Sequence, residues 1–166
     1  MKSNFLLIRD EIEEEIANIE NLKDDFTKIK TKNLELEMKI RLYASILSDF
    51  YMAAERIFKI IAKDLDQDLP EAKDWHKKLL RQMSIEFSEF RSKVINKELY
   101  HNLEEYLRFR HLVRNIYGFQ LNYNRFEHLI QNFPKTVDKF INQLTQFLNS
   151  MQEIIEKATK ENDNIN

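Results

Sequence analysis

The chain has 166 residues, one third of them charged, with a formal net charge of -2, one Gly, two Pro and no Cys. That length suits one domain with a real core and is too short for two of comfortable size. So few turn formers exclude a β-sandwich or barrel, the lack of Cys excludes disulfides, thiolate metal sites and Cys nucleophiles, and the near-balanced charge excludes a molecule-wide pull on polyanions.

The expectation is therefore an all-α protein: an antiparallel bundle of about five helices, with one domain over residues 1–158 and a polar, fraying tail over 159–166. Ile8, Ile12, Ile16, Ile19, Leu22 and Phe26 step by three or four and mark a first long helix. Leu34, Leu36, Met38, Ile40 and Leu42 alternate with period two, but they sit among strong helix formers with no turn residue beside them. The segment reads as the junction between the first two helices, since a lone strand has no partner.

The helical period resumes from Leu42 through Ile46, Phe50, Ala54, Ile57, Phe58, Ile61 and Leu65, and stops before Asp66-Gln67-Asp68-Leu69-Pro70. A short third helix carries Trp75, Leu79, Leu80 and Met83, and Ser84 to Asn96 reads as an irregular connection. The fourth helix is predicted from Asn96 to Gly118, with that lone Gly as a left-handed cap. Asn124 and Glu127 have the spacing of a capping box for a last helix. Its seam runs through Phe126, Ile130, Phe133, Val137, Phe140, Leu144, Phe147, Met151, Ile154 and Ala158, with Pro134 predicting a kink or a break.

The first fifteen residues reach an acidic run too early for a secretory leader, and no stretch approaches the roughly 18 uninterrupted apolar residues of a membrane span. A cytoplasmic location without membrane association is expected. No cofactor is expected either: one Gly rules out phosphate-cradling loops, and His101 and His128 lack companions at metal-ligand spacing. Asp10, Glu11 and Glu13 to Glu15 read as a solvated face. Trp75-His76 reads as a packing anchor in preference to a ligand-stacking pair.

The chemistry concentrates in Leu107-Arg108-Phe109-Arg110-His111-Leu112-Val113-Arg114-Asn115-Ile116-Tyr117. At about 100° per residue, Tyr106, Phe109, Leu112, Val113 and Ile116 form a buried face, while Arg108, Arg110, His111, Arg114 and Asn115 share the opposite arc. Arg110 and Tyr117 border the apolar face and are expected to be half buried. A held guanidinium grips phosphate through a bidentate fork, and His111 is the one side chain here whose unperturbed pKa lies near neutrality. Cleavage of RNA by its own 2′-hydroxyl needs such a base and such a cation. The bland alternative is an arginine face salt-bridged to acids such as Glu104 and Glu105.

Phe109-Arg110-His111 followed by Arg114-Asn115-Ile116-Tyr117-Gly118 resembles the motif of HepT-like ribonuclease toxins in the HEPN superfamily: Arg, four residues, His, one residue, Tyr. Tyr51, Glu55-Arg56-Ile57-Phe58, Pro70, Trp75-His76, Leu79-Leu80, Met83, Arg91 and Val94 fall at the spacings of one HepT-like subfamily, so the similarity covers roughly residues 40–150. The resemblance implies a helical homodimer whose arginine motifs face each other across an RNA-cutting cleft, and metal-independent cleavage. It also implies a toxin–antitoxin pairing with a minimal nucleotidyltransferase as antitoxin, adenylylation by that partner falling on Tyr117. Arg110 matches the motif Arg, with Arg114 and Arg108 as further phosphate-binding cations.

At the motif His this chain has Asn115, whose amide cannot accept a proton at useful pH. Arg110 and Asn115 also lie about 140° apart on an ideal helix. Two readings follow. Either His111 serves as base with Asn115 assisting, or the chain is a weak or inactive HEPN module that keeps the dimer and partner surfaces.

Overall fold

The computed structural model of the chain describes residues 2–71, 73–87 and 91–163. Five α-helices follow one another: α1 (Lys2–Thr31), α2 (Leu36–Ile60), α3 (Trp75–Met83), α4 (Lys97–Asn115) and α5 (Glu127–Asp163). No strand occurs among the described residues.

Cross-contacts set the directions. Arg9 bonds Gln152 while Lys23 pairs with Asp138, so α1 and α5 run antiparallel. Glu15 meets Arg56 and Phe26 meets Tyr43, which makes α1 and α2 antiparallel as well. Between α4 and α5 the same ordering holds, from Asn96 with Gln143 to Phe109 with Phe126. α2 touches every other α-helix and is the central element. Accordingly it buries side chains nearly all round, including Leu47, Phe50, Tyr51, Ile57 and Phe58. Phe50 meets Tyr106, Phe133 and Phe140 edge to face, and Phe133 also touches Phe26, so one aromatic cluster joins α1, α2, α4 and α5.

Several boundaries differ from the sequence reading. The α1–α2 junction is only Lys32 to Glu35; the alternating stretch after it is helical, with Leu36, Met38 and Leu42 exposed. α2 continues into a π-helical turn, Ile61–Leu65, and closes through Asp68 N–H to the Ala62 carbonyl with Gln67 in the left-handed region (φ 53°). The left-handed residue is thus a glutamine. The single glycine, predicted to hold such a position, has no positive φ. α4 instead ends at Asn115 with Ile116 extended, and Gly118 opens a 3-10 turn beneath Arg41, whose Nη1 lies 3.1 Å from where a Cβ would stand.

The predicted box at Asn124 is displaced as well. Asn122 accepts from the Asn124 N–H and caps a 3-10 turn over Tyr123–Arg125, after which α5 begins. Pro134 does not break α5, which runs unbroken through Asp163 and into the segment expected to fray; 164–166 lie outside the described residues. The predicted seam is buried as far as Met151, but Ile155 replaces Ile154 in the core and Ala158 is exposed. A straight helix with 3.6 residues per turn drifts against a 3.5-residue seam, and the later neighbour takes the buried place. Residues 84–87 and 91–96 are non-helical as predicted, while 88–90 lie outside the described residues. There Arg91, almost fully buried, forks onto the buried carboxylate of Asp66 (2.6 and 2.7 Å), which also accepts from Gln82. Among the described residues no helix is long and apolar enough to cross a membrane.

Candidate functional site

The last two turns of α4 are positioned by its buried side. The Tyr106 hydroxyl donates to the Leu129 carbonyl (3.1 Å), and Phe109 packs on Phe126 with ring centroids 4.8 Å apart. These anchors fix the rotation of the helix and turn the polar arc away from α5. Leu112, assigned above to the buried face, is 40 % exposed, because it overhangs the connection between α4 and α5 beside Leu121, Asn122 and Arg125.

Arg110 is half buried as expected, its Nη1 donating to the Ser48 carbonyl of α2 at 3.4 Å. Arg114 and His111 are exposed. Among the described residues neither Arg110 nor Arg114 forms an ion pair, so both guanidinium charges are available to an anion. Arg108 is different: it holds Glu104 at 2.9 Å, and Glu104 also faces Lys77 at 3.7 Å. Asn115 directs its Nδ2 back at the His111 carbonyl one turn earlier (2.6 Å) rather than at the His111 ring. Tyr117, expected half buried, is 72 % exposed and lies parallel to Phe119 with centroids 5.4 Å apart. Its backbone is held by Gln120, whose Oε1 accepts from the Tyr117 N–H.

The structure adds partners from α2 and α3. The His76 ring meets the His111 ring edge to face, centroids 5.3 Å apart. His76 Nδ1 is hydrogen-bonded to Oε2 of Glu55, a carboxylate only 7 % exposed whose Oε1 lies 3.7 Å from Lys59 Nζ. Trp75 stacks on His76 (3.6 Å) and Lys59 sits 4.2 Å from the Trp75 centroid, so the Trp75-His76 step packs and also orients an imidazole. Desolvation, then the neighbouring His76, holds the His111 pKa below its usual 6.5; Glu55 opposes this, and Arg114 and Arg110 add to the lowering. Burial, followed by the nearby Glu55 charge, pushes the Tyr51 hydroxyl far up, so it stays protonated.

From the sequence Glu55 was only a landmark, and His76 a landmark and, with Trp75, a packing anchor. The signal for more was there: Ser48, Tyr51, Glu55 and Lys59 step along one face of α2, a polar stripe in an otherwise apolar helix. The other two histidines are engaged elsewhere, His128 with Glu105 (2.7 Å) and His101 against Tyr100. Among the described residues no group of three or more acidic or His side chains is set to hold a metal ion.

Fold and site together define a helical-bundle protein that carries, at the end of one helix, an exposed imidazole and two arginines without an ion pair among the described residues. The chain belongs to the HepT-like protein family, whose model matches residues 42–151, from the start of α2's buried stretch to late in α5. No curated protein and no solved structure matches the chain.

Proposed function

We propose that the chain is the toxin component of a toxin–antitoxin pair, a HEPN-type RNA endonuclease that works without a metal ion as a homodimer. Arg110 and Arg114 hold the scissile phosphate, and His111 takes the proton from the 2′-hydroxyl. The observation that carries this reading is the juxtaposition of two guanidinium groups free of carboxylates with a histidine whose lowered pKa leaves it unprotonated at neutral pH. Asn115 acts through the helix end that presents His111. Arg108 is the weakest of the expected phosphate ligands, since Glu104 competes for it. The experiment is incubation of end-labelled RNA with pure protein in excess chelator, beside Arg110→Ala. Cleavage lost in the variant supports the reading; RNA left whole by the folded parent removes it.

A second reading keeps the dimer and a nucleotidyltransferase antitoxin but no nuclease. It is favoured by Asn115, which stands where the resemblance calls for His and spends its amide on a backbone carbonyl. Both readings make the exposed Tyr117 hydroxyl the acceptor for adenylate from the partner. Intact mass of the co-expressed pair, before and after Tyr117→Phe, tests that assignment.

A further inference from the structure

Cleavage of RNA by its own 2′-hydroxyl moves two protons. One leaves the 2′-oxygen as it bonds to phosphorus; another must reach the 5′-oxygen as the P–O5′ bond breaks, leaving a 2′,3′-cyclic phosphate and a 5′-hydroxyl end. His111 accounts for the first proton only, and Asn115 cannot supply the second. His76, in ring contact with His111, is a group of the right chemistry. Resting on the nuclease reading above, we infer that His76 is a second catalytic residue, donating the proton to the departing 5′-oxygen while His111 removes that of the 2′-hydroxyl.

The geometry supports the division of labour. The two rings stand edge to face at 5.3 Å, close enough to serve one phosphodiester. Glu55 accepts the His76 Nδ1 proton, which fixes the tautomer, leaves Nε2 as the nitrogen for substrate, and supplies a countercharge when the ring is an imidazolium. Trp75 covers one ring face, and Lys59, ion-paired with the same carboxylate at 3.7 Å and lying on Trp75, supports that arrangement from α2. The charged groups that act on the pair are Glu55, with Lys59 beside it, from α2 and Arg110 and Arg114 from α4. One carboxylate against several cations places the anion partner on His76 and none on His111. In the step, His111 ends protonated and His76 neutral, and solvent restores both. Glu55 is a positioning residue, acting through His76. The structural alternative is that Glu55–His76 merely ties α2 to α3.

Two substrates separate these views: ordinary RNA, and RNA with sulfur in place of the bridging 5′-oxygen, whose thiolate departs without a proton. The expected results are a fall of about 100-fold or more for His76→Gln on ordinary RNA, cleavage within a few-fold of the parent on the sulfur substrate, and loss of the alkaline limb of the pH–rate profile. Glu55→Gln should give the same pattern in weaker form. The parent itself should lose its alkaline limb on the sulfur substrate, a readout that needs no variant to fold. Equal slowing of both substrates by His76→Gln, or no slowing, overturns the inference and leaves the nuclease reading standing. A folded parent that cuts neither substrate overturns both.

Discussion

His76 and His111, thirty-five positions apart in the chain, meet edge to face at 5.3 Å because α2 carries Glu55 to one and Ser48 to the arginine beside the other. α2 is thus the template on which α3 and α4 are brought into register.

His111 should titrate below the ordinary value of 6.5 in the folded protein, as burial dominates and His76 adds to it. NMR of the ring protons checks this, and His76→Gln should move the midpoint part of the way back up. The sign for stability follows. A histidine whose folded pKa is depressed favours the folded state above the unfolded pKa, and that contribution is lost as pH falls from about 6.5 through the folded midpoint. A His111→Gln variant should lose stability less steeply over that interval.

Phe133 lies fully buried against Phe26, Phe50 and Tyr106, joining three other helices at one ring. Phe133→Ala should destabilise by about 3–5 kcal/mol, read by chemical denaturation. A loss under about 1 kcal/mol contradicts the packing described.

The Asp66–Arg91 pair has side chains 0 % and 4 % exposed. Arg91→Met strands the carboxylate and should cost about 3–5 kcal/mol, whereas replacing both members with apolar residues of similar volume should recover much of that. Urea melts of Arg91→Met, of the matching apolar replacement of Asp66 alone and of the double variant measure the coupling.

Backbone conformation distinguishes Gln67 from Gly118. Gln67 holds a left-handed φ of 53°, so Gln67→Gly should stabilise by about 0.5–1 kcal/mol in thermal unfolding. Gly118→Ala should change stability by less than about 0.5 kcal/mol, since its φ is negative and the 3.1 Å contact is with the flexible end of Arg41. A larger loss at Gly118 would mean that it does cap α4 in the left-handed conformation.

The helices were readable from periodicity, because burial on one face of α1, α4 and α5 writes itself into steps of three and four. Their ends were not. Gly118 and Asn124 carry the right residue types for caps, but Ile116 and Asn122 turn the chain first, and Arg41 from another helix sits on the glycine. Arg110, His111 and Arg114 could be placed together because one helix carries all three. Glu55 and His76 belong to two other helices, so only tertiary packing shows that they reach His111. Leu112 was misplaced for a related reason: the helical wheel assumes a neighbour along the whole apolar arc, and at the end of α4 that neighbour is a short turn.

The central claim is that Arg110 and His111 act together on a phosphodiester. Its most direct measurement is the rate of cleavage of a defined RNA in excess chelator by the parent, Arg110→Ala and His111→Gln, with the product ends identified by mass. The parent should yield 2′,3′-cyclic phosphate and 5′-hydroxyl ends, and each variant should fall by about 100-fold or more while keeping its helical spectrum and melting transition. Intact RNA with the folded parent, or equal rates for parent and variants, would contradict it.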